Sequence, residues 1–218
     1  MATGRLVIGN RRYSSWSLRG WLAVRLAKLD VVDEVIPMGE TATPAFKDGS
    51  PAGLVPYLEH DGARVWDTLA ICEYCAEASP GLWPQDRVAR AEARSISAEM
   101  HAGFRALRQA MPMNLGRSFH GAGRNPESLA DIARIEAIWA GAQQRHGGGG
   151  PFLFGADFGL ADAMYAPVVA RLLGYQAELS AASAAYCMAV RGHELVSFWY
   201  ELAEQEPDAW LLSKYESG

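Results

Sequence analysis

Every strand-like stretch of this chain lies ahead of residue 67, and from there to about residue 205 the apolar residues recur at helical spacing. That asymmetry confines the chain to a small α/β domain followed by an all-helical one. Residues 5–9 read as a buried strand, and Leu18, Trp21, Leu22, Leu26 and Leu29 predict a helix over about 17–29. A second strand is expected at 33–37, then a loop or short helix through 41–53. "VPYLEHDGARVW" carries a Pro-led strand, an Asp61-Gly62 turn and a return strand, the signature of a hairpin. In "DTLAICEYCAEA" the residues Ile71, Tyr74, Cys75 and Ala78 mark one helical face.

Two prolines and a glycine in "SPGLWPQD" read as a linker, which sets the expected domains at 1–78 and 87–218 with residues 79–86 between them. Beyond the linker a helix is predicted over 87–111, about 37 Å long at 1.5 Å per residue, with Ile96, Met100, Phe104, Leu107 and Met111 on one side. Pro112 should end or kink it. Further helices are expected at about 126–146, 160–173, 180–191 and 193–205, with "HGGGGP" breaking the chain after the first of these.

Half of the 218 residues are hydrophobic, 21% are charged and the net charge is −5. This balance argues for a soluble protein and against general nucleic-acid binding. No apolar run approaches the roughly 18 residues of a membrane span, and the start, "MATGRLVIGN", lacks the pattern of a signal peptide. Three cysteines, Cys72, Cys75 and Cys187, make no disulfide framework. A reduced, cytoplasmic protein is the expectation.

The first strand runs straight into the first helix through "NRRYSSWSLRGW", with Ser14, Ser15 and Ser17 at the turn. Strand, helix, strand, loop, hairpin and helix in this order give a thioredoxin-like fold. Redox members of that fold carry Cys-x-x-Cys here, where the helix N-terminus favours a thiolate. Serines cannot form a disulfide, but the free N–H groups and the positive end of the helix still suit an anion. The place therefore fits a thiolate that arrives with a substrate. One hydrogen bond to a charged group contributes roughly 1.5–3 kcal/mol. That would bring a thiol titrating near pH 8.5 down by about one to two pH units. Ser17 reads as a helix cap; for Ser14 and Ser15 the local sequence leaves capping and substrate contact both open. A serine nucleophile would need an adjacent base, and neither a G-x-S-x-G elbow nor a partnered histidine is present.

"SPAGLVPYLEHDG" followed by "VWDTLAICEYCAE" closely resembles the glutathione-binding half of the cytosolic glutathione transferases. "NRRYSSWSLRGWLA" is similar to the serine motif of their tau, theta and zeta-like classes. The resemblance continues through "LWP" and "FLFGADFGLADAMYAPVV" and covers nearly the whole chain. It implies glutathione as co-substrate, with Ser14 as the donor to its thiolate and Ser15 as the alternate. Val55-Pro56 would be the family's cis-proline junction, whose backbone pairs with the cysteinyl unit. Asp67 and Thr68 would take the γ-glutamyl ammonium and carboxylate. Leu54 stands where most relatives have Gln or Lys, which weakens the case for conventional binding of the glycyl end. Gly159 replaces the hydroxyl of a helix start, at a cost of a few tenths of a kcal/mol.

The resemblance further implies that Met100, His101, Phe104, Arg108 and Met113 border the pocket of an electrophilic small molecule, although such a row is also ordinary core. Arg12 and Arg19 are expected on the solvated surface. Cys72-Glu73-Tyr74-Cys75 reads as a pair of buried structural cysteines, "HGGGGP" as an interhelix loop, and the five histidines show no metal-ligand spacing, so no metal is expected. The functional expectation is a homodimeric glutathione transferase of detoxifying type. A zeta-like glutathione-dependent isomerase and a non-catalytic ligand-binding or interaction module are the alternatives; Trp16, where zeta-type enzymes have Cys, weighs against the isomerase.

Overall fold

The structure, a computed structural model, describes residues 3–40 and 43–216. β1 (Gly4–Ile8) is central in a four-stranded sheet of order β2-β1-β3-β4, parallel to β2 (Val31–Val35) and antiparallel to β3 (Tyr57–His60). β4 (Ala63–Val65) closes the hairpin through Asp61 and Gly62, both at positive φ. The second half of this central strand is apolar, and Leu6, Val7 and Ile8 are fully buried, while Arg5 near its start pairs with Glu34 and Glu59. Of the stretch expected as a loop or short helix, Thr41 and Ala42 lie outside the described residues, and Ala45–Gly49 form the one-turn helix α2.

α1 spans Ser15–Leu26, not 17–29. Ser14 caps it, accepting from the Ser17 N–H at 3.3 Å, and Lys28 at φ 55° turns the chain out of the helix. α3 (Thr68–Ala78) starts at the cap Asp67 and packs against α1. Gly20 makes that face of α1 close-fitting, because a Cβ there would lie 2.7 Å from Pro56 Cγ.

The rest of the chain is helical. The helix expected over 87–111 is broken: α4 (Arg87–Ala102) ends at Gly103, Phe104 is left-handed at φ 55°, and α5 spans Arg105–Ala110. A left-handed aromatic residue needs strong tertiary support. It has it, since Phe104, Leu107 and Met111 are all buried and Asp131 accepts from the Leu107 N–H at 2.9 Å. α6 (Pro126–His146) carries the capping box Asn125/Ser128. α7 (Leu160–Gly174) is buried on every side from Leu160 to Leu172, an apolar helix apart from the buried Asp162 and Arg171. It touches α1, α4 and α8 (Ala181–Gly192). Gly159 starts α7 without a side-chain cap, and Asp162 supplies the acceptors: its carboxylate takes the N–H groups of Gly159 and Leu153 and the Tyr186 hydroxyl. α9 (Glu194–Glu204) is followed by a 3-10 turn (Asp208–Trp210) and the short α10 (Ser213–Glu216). No helix of the described residues is long and apolar enough to cross a membrane.

Candidate active site

The turn between β1 and α1 is clamped from the far end of the chain. The Glu206 carboxylate accepts from the backbone N–H groups of Arg11 and Arg12, at 2.6 and 3.2 Å. Asn10 Nδ2 donates to the Trp210 carbonyl, and the Tyr13 hydroxyl accepts from Leu212 and donates to Glu216. No periodicity in residues 206–216 signals this role; besides the polar contacts, Leu212 is buried and the Tyr215 ring lies 5.4 Å from that of Tyr13.

Ser14 and Ser15 are both largely buried and both line a cavity of about 600 Å³. Their hydrogen bonds differ. Ser14 Oγ accepts the Ser17 N–H and donates to Ser17 Oγ at 2.7 Å, while Ser17 Oγ takes the Gly9 N–H at 3.0 Å. Ser15 Oγ accepts from Arg171 Nη2 at 3.2 Å, across from α7. Arg19, expected on the surface, is 1% exposed: its Nε donates to the Met164 carbonyl and its Nη1 to that of Ser15. A helical register that puts Leu18 and Leu22 in the core carries Arg19 to the face α7 covers, and only the tertiary contact makes that an interior position.

A second cavity, of about 280 Å³, brings together all five residues expected around glutathione: Leu54, Val55, Pro56, Asp67 and Thr68. The Val55–Pro56 peptide is cis. Thr68 is buried at the start of α3, and Leu54 stands 67% exposed at the rim. Trp16 borders both cavities. Its ring has the guanidinium carbons of Arg19 and Arg108 over it at 4.6 and 4.9 Å, a cation–π arrangement.

The residues expected around the electrophile separate. Arg108 and Met113 line the larger cavity. His101 lies instead in the smaller one, its Nε2 3.2 Å from Asp67 Oδ2. Met100 and Phe104 line neither; they belong to the core, because the break at Gly103 turns the α4–α5 stripe inward. In their place Arg105, Gln109 and Tyr215 face the larger cavity. Cys72 and Cys75 are fully buried within α3. Burial pushes both thiols up, that of Cys75 to about 12, away from the reactive range. Among the described residues no group of His, Cys, Asp and Glu side chains is arranged to hold a metal ion.

Residues 13–78 match the family model for the glutathione S-transferase N-terminal domain. The chain's amino-terminal domain is thus similar to that of the glutathione transferases. Among solved structures, a glutathione transferase homologue from Burkholderia with bound glutathione superposes with a TM-score of 0.70, at 19% identity over 93% of this chain and 99% of that one. Among curated proteins, the maleylacetoacetate isomerase of Rattus norvegicus is 29% identical over 188 residues, 83% of this chain and 84% of the rat protein. A probable maleylacetoacetate isomerase of Caenorhabditis elegans is 34% identical over 100 residues, which span 46% of that protein. The thioredoxin-like domain followed by a helical domain is therefore the glutathione transferase fold.

Proposed function

We propose that this chain is a glutathione transferase in which Ser15, polarised by Arg171, donates its hydroxyl hydrogen to the cysteinyl sulfur of bound glutathione. The observation that carries the reading is the 3.2 Å hydrogen bond from Arg171 Nη2 to Ser15 Oγ in the cavity wall. A hydroxyl that accepts from a guanidinium keeps its own hydrogen to give, and hydrogen bonds in series strengthen one another. Ser14 directs its hydrogen to Ser17 instead and caps the helix. The positive end of α1 adds to the stabilisation of the sulfur anion.

In this reading the tripeptide lies in the smaller cavity, its cysteinyl unit along Val55-Pro56 and its γ-glutamyl end at Asp67 and Thr68. The thiol proton leaves to solvent as the sulfur ionises. The thiolate then forms a carbon–sulfur bond to an electrophile in the larger cavity, and a leaving group departs with the displaced electron pair. Catalysis comes from thiol ionisation and from orientation of the two reactants. A homodimer working in the cytoplasm on detoxification substrates is the setting that goes with this reading.

The relatives named maleylacetoacetate isomerase favour a second reading with the same first step. There the sulfur adds to a conjugated double bond, the bond rotates, and the thiolate leaves again, so glutathione is not consumed. Both readings are tested by the ultraviolet absorbance of the thiolate on adding glutathione near neutral pH. Ser15→Ala should raise the apparent pKa of bound thiol by about one to two pH units, with kcat/KM falling in parallel at neutral pH. An unchanged thiolate titration in that variant refutes the role of Ser15.

A further inference from the structure

We infer that the smaller cavity selects a γ-glutamyl-cysteinyl thiol whose carboxyl-terminal end is uncharged, capped as an ester or amide, and that Leu54 makes the choice. This rests on the glutathione reading above and narrows it at one end of the tripeptide. With the cysteinyl unit along Val55-Pro56 and the γ-glutamyl end at Asp67 and Thr68, the remaining end falls at the rim beside Ala52 and Leu54. Both rim residues are exposed, Leu54 at 67%. Among the described residues no Lys or Arg lines this cavity. The residues outside the described ones, Met1, Ala2, Thr41, Ala42, Ser217 and Gly218, include none either. Lys47 of α2 packs its stem beside Gly53 without lining the cavity, and Arg105, Arg108 and Arg171 line the larger one instead.

The two ionisable side chains that do line the cavity are turned to each other, His101 Nε2 lying 3.2 Å from Asp67 Oδ2. A free carboxylate set down at the rim would therefore give up water and gain no cation there, which is the costly way to bring a charge against protein. An ester or amide end has no charge to desolvate. It lays carbon on Leu54 and removes apolar surface of both partners from water. Leu54 and Trp66, the latter 46% exposed, are large apolar side chains that the fold leaves in water, and both line this one cavity. Exposed apolar side chains gathered around a concave site mark ligand contact.

Isothermal titration of the full chain near neutral pH, with S-methylglutathione and with its glycyl ethyl ester, tests the assignment. The ester should bind about three- to tenfold more tightly than the free acid. Leu54→Ala should remove most of that difference, and Leu54→Lys should reverse it, because an ammonium at the rim then pairs with the acid. Leu54 is exposed, so both variants should keep the wild-type circular dichroism spectrum. Equal binding of the two ligands to wild type, a preference for the free acid, or a ratio that neither substitution moves overturns the assignment and leaves the glutathione reading standing. Failure of both ligands to bind overturns the two together.

Discussion

Two adjacent serines at the start of α1 end up with different chemistry because their hydroxyls meet different neighbours. Ser14 Oγ is shared between the Ser17 N–H and Ser17 Oγ, so its loss should act on the helix. Ser14→Ala is expected to cost about 1 kcal/mol of stability, the usual worth of an N-cap, read as a lower midpoint in urea unfolding. Glutathione thiolate absorbance should survive in that variant; its disappearance would restore Ser14 to the catalytic position. The sequence made both serines candidates, since the motif places them one residue apart at a helix N-terminus. Arg171 is what separates them, and it lies 156 residues away in α7, where nothing local marks it. The same distance hides Arg19: its charge reads as surface in the sequence, and the packing of α1 against α7 buries it.

At the scale of elements, α1 links the sheet, the cis-proline loop and the helical domain. Gly20 sets how closely it approaches the loop, since a Cβ there would come within 2.9 Å of two Pro56 ring atoms. Gly20→Ala should therefore push α1 and Pro56 apart and cost about 1–3 kcal/mol through overpacking, even though alanine is the better helix former. Glutathione affinity in equilibrium dialysis should drop as well, because Pro56 lines the smaller cavity; wild-type affinity would uncouple the loop from the helix. The helix expected over 87–111 illustrates what periodicity misses. Met100, Phe104, Leu107 and Met111 keep an apolar spacing that one straight helix satisfies. The folded chain instead kinks at Gly103, hands the stripe to the core and leaves Arg105, Arg108 and Gln109 to the cavity.

The molecule as a whole is joined by long-range ion pairs as well as by its core. Glu92 in α4 holds Arg145 and, at 2.9 Å, His146 in α6, and the hydrogen bond from Arg145 is the main cause that keeps its carboxyl below the ordinary range. A carboxyl lowered by folding adds stability above its unfolded pKa, near 4.3, and loses it as pH falls through the folded value. Wild type should thus exceed Glu92→Gln by about 0.5–1 kcal/mol at pH 7, with the difference in melting temperature shrinking below about pH 4.3. A difference that stays constant through acid would assign it to packing. The sequence by itself determined the order of elements and the thioredoxin-like unit ahead of the helical one, while the grouping of Val55, Pro56, Asp67 and Thr68 came from the family resemblance. The order of elements is written in local spacing: alternation, helical period, a turn or a cap. Only the tertiary structure decided which serine faces a cation, which arginines are buried, and what lines the larger cavity. Those depend on side chains brought together from α1, α4, α5, α7 and α10, and a pattern read along one chain does not contain the distances between its helices.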